Sequence, residues 1–413
     1  MFGMKAEKRI YLDNAATTPL DPGVLSVMSP FLVEKYGNPS SLHLEGRQTK
    51  NAMETARAKI ADILGAEKEE VIFTSGGTES DNLAILGIAR SNKDKGQHII
   101  VSSIEHKAVL DTCKKLEKEG FEITYLNVDK KGIVSLEHLK TCLRRDTILV
   151  SVMSANNEIG TTQPIKDIAK ILKDSKISKP VFHTDACQSA GALSLNIKEL
   201  GVDALTFSAS KIYGPKGAGC LYLNKNVSIE PMMVGGGQEN GVRSGTENVA
   251  GIVGMAEALV IVEKERLSGN KRLTILRDYF LSKILKEIKG VALNGDVRKR
   301  LPNNLNISIK GVEGESLVLL LDDKGIACST GSACNSMDLK PSHVLTAIGV
   351  SPELAHSCIR FTLGRHTTKK DLDYVVKSLS ECVKIVRNIS ALISPSLRGS
   401  ILTKQSRIKI KKE

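Results

Sequence analysis

The sequence lacks several features that define large classes of proteins. It contains no tryptophan, and aromatic residues make up only 4% of its 413 residues. No apolar run approaches the roughly 18 residues of a membrane-spanning helix. Residues 1–10 have mixed charge and no apolar stretch typical of a secretory signal. We therefore expect a cytoplasmic protein that does not associate with a membrane.

Paired cysteines are also missing. The eight cysteines are scattered along the chain, and none forms a CxxC pair with another. A long cytosolic chain does not need a disulfide framework, so most of the cysteines are expected to be small buried hydrophobic residues. Without CxxC pairs or nearby histidine ligands we also expect no metal site.

The net charge of +12 does not by itself indicate a nucleic-acid-binding protein. The tail 394–413 holds six Lys or Arg and one acidic residue, so it alone contributes +5. The rest of the chain shows no basic stripe interleaved with aromatic residues. We expect a solvated surface, a basic tail and no direct contact with nucleic acid. The alternative is a tail that binds an acidic partner or RNA through Arg398, Lys404, Arg407, Lys409, Lys411 and Lys412.

Strand and helix patterns alternate over the first 260 residues. Apolar, β-branched runs predict seven strands, and the periodic stretches between several of them predict helices. The strands are expected at 70–74, 98–102, 122–126, 147–153, 181–184, 204–208 and 219–223. This alternation is typical of a mostly parallel sheet covered on both faces, in which ligands bind beyond the carboxyl ends of the strands.

A smaller α+β unit is expected after this sheet. A helical pattern over 249–289, with a break near Gly269 and Asn270, leads out of the sheet. Strands are then expected at 304–309 and 325–329, and a final helix over 369–392. We divide the chain into a large domain at 15–262, a small domain formed by 1–14 and 263–393, and the tail 394–413.

The run FTSGGTESDN, from Phe73 to Asn82, has the outline of a phosphate cradle. A strand enters two glycines and a helix begins, so backbone N–H groups of Gly76 and Gly77 could approach an anion at the helix N-terminus. A plain tight turn between a strand and a helix explains the same residues equally well.

Two later strands end in an ionisable side chain. Asp185 closes a strand in HTDACQ, where a buried carboxylate needs a partner such as a protonated ring nitrogen, or else caps the next helix. Lys211 follows the run LTFSAS and precedes a turn rich in Gly and Pro. A lysine held there can have a lowered pKa and form a Schiff base, although most lysines are only solvated. The order cradle, acid, lysine is more informative than any one of the three.

Taken together, these segments closely resemble the cysteine desulfurases of the NifS/IscS type, which are class V aminotransferase-like enzymes that use pyridoxal 5'-phosphate (PLP). The resemblance runs from Tyr11 to about Asp373. The matching runs are YLDNAATT from Tyr11, FTSGGTESDN from Phe73, EHKAV from Glu105, NNEIG from Asn156, HTDACQ from His183, KIYGPKG from Lys211, GGGQENGVRSGTEN from Gly235, STGSAC from Ser329 and IRFTLGRHTT from Ile359. The resemblance implies an α/β protein of aminotransferase fold type I, with a seven-strand, mostly parallel large domain and a smaller α+β domain.

The resemblance also implies roles for individual residues. Lys211 would bind PLP as a Schiff base, Asp185 would pair with its ring nitrogen, and His106 would stack on the ring and assist proton transfers. Arg360 would bind the substrate carboxylate, near Asn14. The remaining cofactor contacts would come from Asn157 and Gln188 at the ring oxygen and from Gly77, Thr78, Ser208 and Ser210 at the phosphate. In the family the loop 235–248 reaches across a homodimer, so Thr246 would contact the partner's cofactor phosphate.

The sulfur step is expected at Cys334, in the run CSTGSAC. A thiolate there would attack the sulfur of L-cysteine, leaving L-alanine and a persulfide that is passed to an acceptor. The acceptor would be an iron–sulfur scaffold protein, a tRNA-thiolating enzyme, or both. The small residues before Cys334 are typical of a loop that moves. Cys328 lies in an apolar strand context, and we interpret it as structural.

Two positions depart from the family's pattern. The lysine is usually preceded by His, here Ser210, which lacks a possible positive charge, so weaker cofactor retention is expected. The run GGGQE is usually followed by Arg, here Asn240. A selenocysteine lyase is one alternative. An aminotransferase has no use for Cys334, and a scaffold without activity has no use for the complete set of site residues.

Overall fold

The structure is a computed structural model that describes residues 9–331 and 341–392, with side chains as far as 389. Its helices are α1 (Pro22–Val33), α2 (Leu44–Leu64), α3 (Gly77–Ser91), α4 (Lys107–Lys118), α5 (Leu136–Cys142), α6 (Ile165–Asp174), α7 (Ile197–Leu200), α8 (Val249–Glu287), α9 (Gly314–Asp323), α10 (His343–Ala347), α11 (Pro352–His356) and α12 (Lys369–Leu392). Within this part of the chain no helix is both long and apolar enough to cross a membrane.

Seven strands form the large sheet, as the sequence predicted. They are β2 (Val71–Thr74), β3 (His98–Ser102), β4 (Glu122–Leu126), β5 (Thr147–Ser151), β6 (Val181–Asp185), β7 (Ala204–Ser208) and β8 (Gly219–Leu223). Their order is β2-β8-β7-β6-β5-β3-β4, and β8 alone among them runs antiparallel to its neighbours. The mostly parallel α/β fold is therefore confirmed. The central strands are buried on both faces, which explains why they read as continuous apolar runs.

The topology places the motif residues at one edge of this sheet. The carboxyl ends of β2, β3, β5, β6 and β7 share that edge. Four segments leave it: Gly76 and α3 after β2, the approach to α4 after β3, the NNEIG run after β5, and Lys211 after β7. Parallel pairing thus brings together residues that are more than 100 positions apart in the sequence.

The second unit is built on smaller sheets. β9 (Val291–Leu293), β10 (Asn304–Ile309) and β12 (Cys358–Thr362) form an antiparallel sheet in the order β12-β10-β9. β1 (Ile10–Tyr11) pairs in parallel with β11 (Ile326–Ala327), so the start of the described chain joins this unit. Its own core contains Phe280 and Phe361, whose rings meet edge to face at 5.2 Å.

Helix α8 links the two units, and here one prediction was wrong. The helix is continuous across Gly269 and Asn270, where a break was expected. A Cβ atom at Gly269 would meet open space, so nothing crowds the helix there, and Asn270 Nδ2 donates to the carbonyl of Ala192 at 2.6 Å. The first half of α8 packs on the large-sheet core up to Val262, whereas its later residues enter the second core. We infer that the boundary between the units lies within this helix.

Candidate active site

A cavity of about 420 Å³ lies at the carboxyl edge of the large sheet. Its wall contains ten of the residues that the sequence singled out: Gly77, Thr78, His106, Asn157, Asp185, Gln188, Ser208, Ser210, Lys211 and Arg360. Residues from both units contribute, because Arg360 comes from β12 and the others from the large sheet or its connections. The fold therefore brings most of the predicted site residues into one space.

The glycine run forms an open cradle at the start of α3. Gly76 has a φ of 154°, which residues with a side chain rarely adopt, and a Cβ atom at Gly77 would lie 2.6 Å from Cys187 Sγ. The first N–H groups of α3 have no partner within the helix and point out of its N-terminus. The hydroxyls of Ser208 and Ser210 lie 3.1 Å apart beside this helix end. Backbone donors, hydroxyls and the helix dipole together suit a phosphate group.

Lys211 lies in a short 3-10 turn that follows β7. Its Nζ donates to the carbonyl oxygen of Ala15 at 3.0 Å and also to that of Ala16. Burial lowers the pKa of Lys211, because a low-dielectric surrounding disfavours the charged amine. A lysine with a lowered pKa has more of the neutral amine that attacks a carbonyl group.

Two acidic side chains lie side by side beneath the cavity. Asp185 closes β6, and its Oδ1 accepts from the Cys187 N–H at 2.8 Å. Asp81 on α3 also lines the cavity, and its buried Oδ1 has no hydrogen-bond partner within the part of the chain that the structure describes. Burial, together with the charge of Asp185, raises the pKa of Asp81 well above its usual range. One negative charge on the pair is therefore favoured over two.

His183, on β6, also lies beneath the cavity. Its Nδ1 lies 2.9 Å from Ser151 Oγ, and its Nε2 lies 3.1 Å from Thr206 Oγ1. Burial lowers the pKa of His183 to about 4, so the ring is neutral at physiological pH. Any charge beneath the cavity is therefore carried by the pair Asp81 and Asp185.

His106 is both a helix-start residue and a cavity residue. It is the N-cap of α4, where its Nδ1 accepts from the Ala108 N–H at 3.1 Å. That bond fixes the ring of a residue that lines the cavity. Gln188 donates from Nε2 to the carbonyl of Ala15 at 3.0 Å. Asn157 uses its backbone oxygen to accept from Arg360 Nη1 at 2.9 Å.

Arg360 is 3% exposed and projects from the middle of β12. Besides its bond to Asn157, it donates from Nη2 to Asp13 Oδ1 at 2.9 Å. Its Nε is buried and has no hydrogen-bond partner among the described residues. A guanidinium has five N–H donors, and two bonds leave most of them available to a carboxylate.

Three predicted residues are not placed in this wall. Asn14 donates from Nδ2 to the Thr362 carbonyl at 2.8 Å and lines a separate, smaller cavity. Thr246 is exposed in the loop 235–248 and does not line the cavity of its own chain. Cys334 lies outside the described residues, but Gly331, three positions earlier, lines the cavity. Cys328 is buried, and burial raises the pKa of its thiol to about 12, in agreement with a structural role.

The sequence interpretation missed other residues of the wall, among them Asp81, Glu158, Cys187 and His343. Asp81 and Glu158 both lie inside sequence runs that had been recognised. Their place near the site could therefore have been predicted from the sequence, although their burial could not. His343 lies near the start of the described range 341–392, and its Nε2 is 2.9 Å from the Glu105 carbonyl oxygen. Over the described ranges, no group of three or more His, Cys, Asp or Glu side chains is arranged to hold a metal ion.

Comparison with known families agrees with this geometry. The profile of the aminotransferase class-V family matches residues 10–375. The chain belongs to the class V aminotransferase family. Members of this family are PLP-dependent enzymes.

Individual relatives narrow the position within the family. The cysteine desulfurase IscS of Dictyoglomus turgidum is 55% identical over 384 residues, which is 93% of this chain and 97% of the relative. A solved NifS-like protein is 40% identical with a TM-score of 0.86, covering 91% of this chain and 100% of that one. The structure of SspA in complex with cysteine is 37% identical with a TM-score of 0.76, covering 87% and 100%. These relatives place the chain in the IscS-type cysteine desulfurase branch.

The residues present fit PLP. The group has a phosphate, for which the α3 N-terminus and its glycines leave room, and an aldehyde, which Lys211 can attack. Its ring nitrogen would meet the carboxyl pair, where a buried oxygen of Asp81 accepts no hydrogen bond from the described residues. The cavity thus offers a match to each polar part of the cofactor.

Proposed function

We propose that this protein is a PLP-dependent cysteine desulfurase that converts L-cysteine to L-alanine and transfers the sulfur to Cys334. The observation that carries the proposal is the shared cavity of Lys211, Asp185, His106 and Arg360, whose wall also contains Gly331. Cys334 is three positions from Gly331, close enough along the chain to reach the same space. The relative solved with bound cysteine supports the choice of substrate.

Each residue then has a definite task toward the cofactor. Lys211 would hold PLP covalently, Asp185 would face the ring nitrogen and His106 the ring. Asn157 and Gln188 would lie near the ring oxygen, and the phosphate would be bound by Gly77, Thr78, Ser208 and Ser210. Bound PLP supplies an electron sink for charge that develops on the substrate carbon.

The protein's own groups carry out the remaining chemistry. Arg360 binds the substrate carboxylate through its planar fork and so orients the amino acid. Lys211 and His106 would accept and return protons. The thiolate of Cys334 forms a bond to the substrate sulfur while the bond from carbon to sulfur breaks. The carbon gains a proton, alanine leaves, and the enzyme keeps a persulfide.

We further propose that the working unit is a homodimer. Large apolar side chains are exposed at the end of α1 and in the segment that follows it, with Val33 at 76%, Tyr36 at 77% and Leu42 at 89% exposure, and Val234 beside the glycine-rich loop is 82% exposed. Several large exposed apolar side chains within one short segment are typical of a surface that a second subunit covers. The exposed Thr246 lies in that loop and would serve the cofactor of the second subunit. Analytical ultracentrifugation of wild type and Val33→Glu tests this, with a monomeric variant expected.

We place the enzyme in the cytoplasm, where its persulfide would supply sulfur acceptors. An iron–sulfur scaffold protein and a tRNA-thiolating enzyme both suit this chemistry, and the contact would be with the acceptor protein rather than with nucleic acid. Transfer of ³⁵S from L-[³⁵S]cysteine to each purified acceptor tests the choice. Label that stays on the desulfurase with both acceptors would contradict it.

The direct test of the proposed function is turnover of L-cysteine. We expect wild type to form alanine and sulfide, and Lys211→Ala and Cys334→Ser to lose this activity. Lys216→Ala and Cys142→Ser are matched controls, because Lys216 lines the same cavity and Cys142 is a half-buried free cysteine. A yellow, PLP-loaded wild type that forms no alanine would contradict the assignment. Turnover that survives Cys334→Ser would move the sulfur acceptor to another cysteine.

A further inference from the structure

Glu158 lies in the cavity wall, and none of the roles above uses it. Its backbone is fixed on both sides. The Glu158 N–H donates to Asn156 Oδ1 at 2.9 Å, and its carbonyl accepts from Asn306 Nδ2 at 3.1 Å. The residue is 4% exposed. A fixed backbone and a closed surrounding keep the carboxyl from turning out into solvent.

The carboxyl of Glu158 meets the α10 cap and Gly331. Ser342 Oγ donates to Glu158 Oε2 at 2.5 Å, and the same oxygen would lie 2.9 Å from a Cβ atom at Gly331. Ser342 Oγ also accepts from the Val344 N–H at 3.1 Å, as the N-cap of α10. A hydroxyl has one proton to donate, and this arrangement directs it to Glu158.

Several charges act on this carboxyl. Burial raises the pKa of Glu158 to about 7, against the Ser342 hydrogen bond and the positive charges of Arg360, His106 and Lys107. Cys358 also faces Glu158, but burial raises the pKa of its thiol to about 12, so it is neutral. Glu158 therefore changes charge in the physiological range.

We propose that Glu158 is a positioning residue for the substrate carboxylate and that it acts through Arg360. The inference rests on the proposed function, in which Arg360 binds that carboxylate. Glu158 and Arg360 line the same cavity, and Arg360 donates to the carbonyl oxygen of Asn157, the residue before Glu158, at 2.9 Å. When Glu158 is neutral, Asp13, 2.9 Å from Arg360 Nη2, is the carboxylate paired with the guanidinium among the described residues. When Glu158 is ionised, a second carboxylate draws on the guanidinium and repels the substrate anion. Carboxylate binding is thus strongest below neutral pH and weakens as Glu158 ionises.

The test measures binding of propionate, which has the carboxylate of the substrate but neither its amino nor its thiol group. The PLP-loaded protein is titrated between about pH 5.5 and about pH 8.5, and binding is followed by calorimetry and by the cofactor's absorption. Coupling between charges is reciprocal. If bound propionate raises the pKa of Glu158 by about one unit, ionisation of Glu158 lowers the affinity for propionate roughly tenfold. We expect wild type to lose about tenfold in affinity over this range.

Variants separate Glu158 from other titrating groups. Glu158→Gln should lower the change to about threefold or less. Ser342→Ala removes a bond that favours the ionised carboxyl, so the midpoint should move to higher pH. Asp203→Asn is the matched control, because burial also raises the pKa of Asp203 although it does not line the cavity.

The outcomes distinguish the inference from the function on which it rests. A wild-type pH dependence that persists in full in Glu158→Gln would overturn the inference while leaving the function intact. Propionate affinity that Arg360→Lys does not reduce at any pH would contradict the role of Arg360 itself. Loss of the pH dependence in Glu158→Gln, together with its upward shift in Ser342→Ala, would establish the positioning role.

Discussion

Arg57 and Glu239 form a buried ion pair with two parallel hydrogen bonds. Arg57 donates from Nη1 and Nη2 to the two carboxylate oxygens of Glu239 at 2.8 and 2.7 Å, and the side chains are 9% and 2% exposed. Glu239 also accepts from the Phe73 N–H at 2.8 Å. The pair joins the loop 235–248 to α2, where Arg57 lies. The bond from Phe73 also fixes that loop to β2, the strand that leads into the phosphate cradle.

We expect Glu239→Gln to lower the free energy of unfolding by about 3 kcal/mol, because it removes the buried counter-charge of Arg57 and leaves only the partly exposed Glu54, 3.1 Å from Nε. Urea denaturation measures the effect. Glu137→Gln is the control, because the Glu137 side chain is 81% exposed in an ion pair with Lys140, and such pairs contribute about 1 kcal/mol or less. A variant as stable as wild type would show that the pair does not hold the loop.

Asn240, next to this pair, has a left-handed backbone with a φ of 56°. Asn adopts this conformation more readily than most residues with a side chain, which gives a physical reason for Asn at a position where the family usually has Arg. Asn240→Val should destabilise the protein by about 1–2 kcal/mol, whereas Asn240→Gly should be tolerated. Thermal unfolding of the two variants distinguishes them. Equal melting temperatures would mean that the backbone at this position relaxes.

The two carboxyls beneath the cavity should respond differently to the same substitution. Asp81 has a raised pKa, so at neutral pH Asp81→Asn replaces a neutral acid by a neutral amide of the same shape. We expect it to keep its cofactor and to stay within about threefold of wild-type turnover. Asp185→Asn removes the carboxylate that we propose faces the ring nitrogen, so cofactor retention should fall and turnover should drop by about 100-fold or more. Absorption of the bound cofactor and alanine formation measure both effects. Cofactor loss in Asp81→Asn equal to that in Asp185→Asn would show that Asp81 carries the charge.

The sequence predicted the fold well where local pattern and topology agree. All seven strands of the large sheet were anticipated, because strands buried on both faces read as continuous apolar runs. The break in α8 was not found, because Gly269 and Asn270 are weak helix formers whose local preference is overridden by the helix on either side.

The candidate site was predictable only in part. Asp185 and Lys211 meet because a parallel sheet brings the ends of its strands together. The pattern of strands in the sequence predicts that sheet. The partners of Arg360 could not be read from the sequence, since Asp13 is 347 positions away and meets it through the second unit. The charge states of Asp81 and Glu158 depend on burial, which a single sequence does not record.

Arg360→Lys should weaken substrate binding rather than abolish folding. Arg360 bonds to Asn157 and Asp13 and still has N–H donors for a carboxylate. The ammonium group of lysine cannot reproduce this planar, forked arrangement of donors. We expect KM for L-cysteine to rise about 10- to 100-fold, with a smaller fall in kcat. Arg365→Lys is the matched control, because Arg365 is paired with Asp21 and Glu265 outside the cavity. A KM that rises equally in both variants would point to a general structural effect.

Glu158 gives a final prediction, on stability rather than on binding. Its pKa in the folded protein, about 7, exceeds the ordinary value of 4.5. The folded state therefore holds the proton more tightly than the unfolded chain does. The stability that this provides is fully present below about pH 4.5 and is lost as pH rises to about 7. A shift of this size corresponds to about 3 kcal/mol.

Glu158→Gln has no proton to lose, so its free energy of unfolding relative to wild type should improve by up to about 3 kcal/mol between about pH 5 and about pH 8. Urea denaturation at the two pH values measures this difference. Glu137→Gln, which changes an exposed carboxyl, should show no such improvement. If the difference in free energy of unfolding between Glu158→Gln and wild type is the same at both pH values, Glu158 ionises in the folded protein as it does in the unfolded chain. Its charge would then not change near neutral pH.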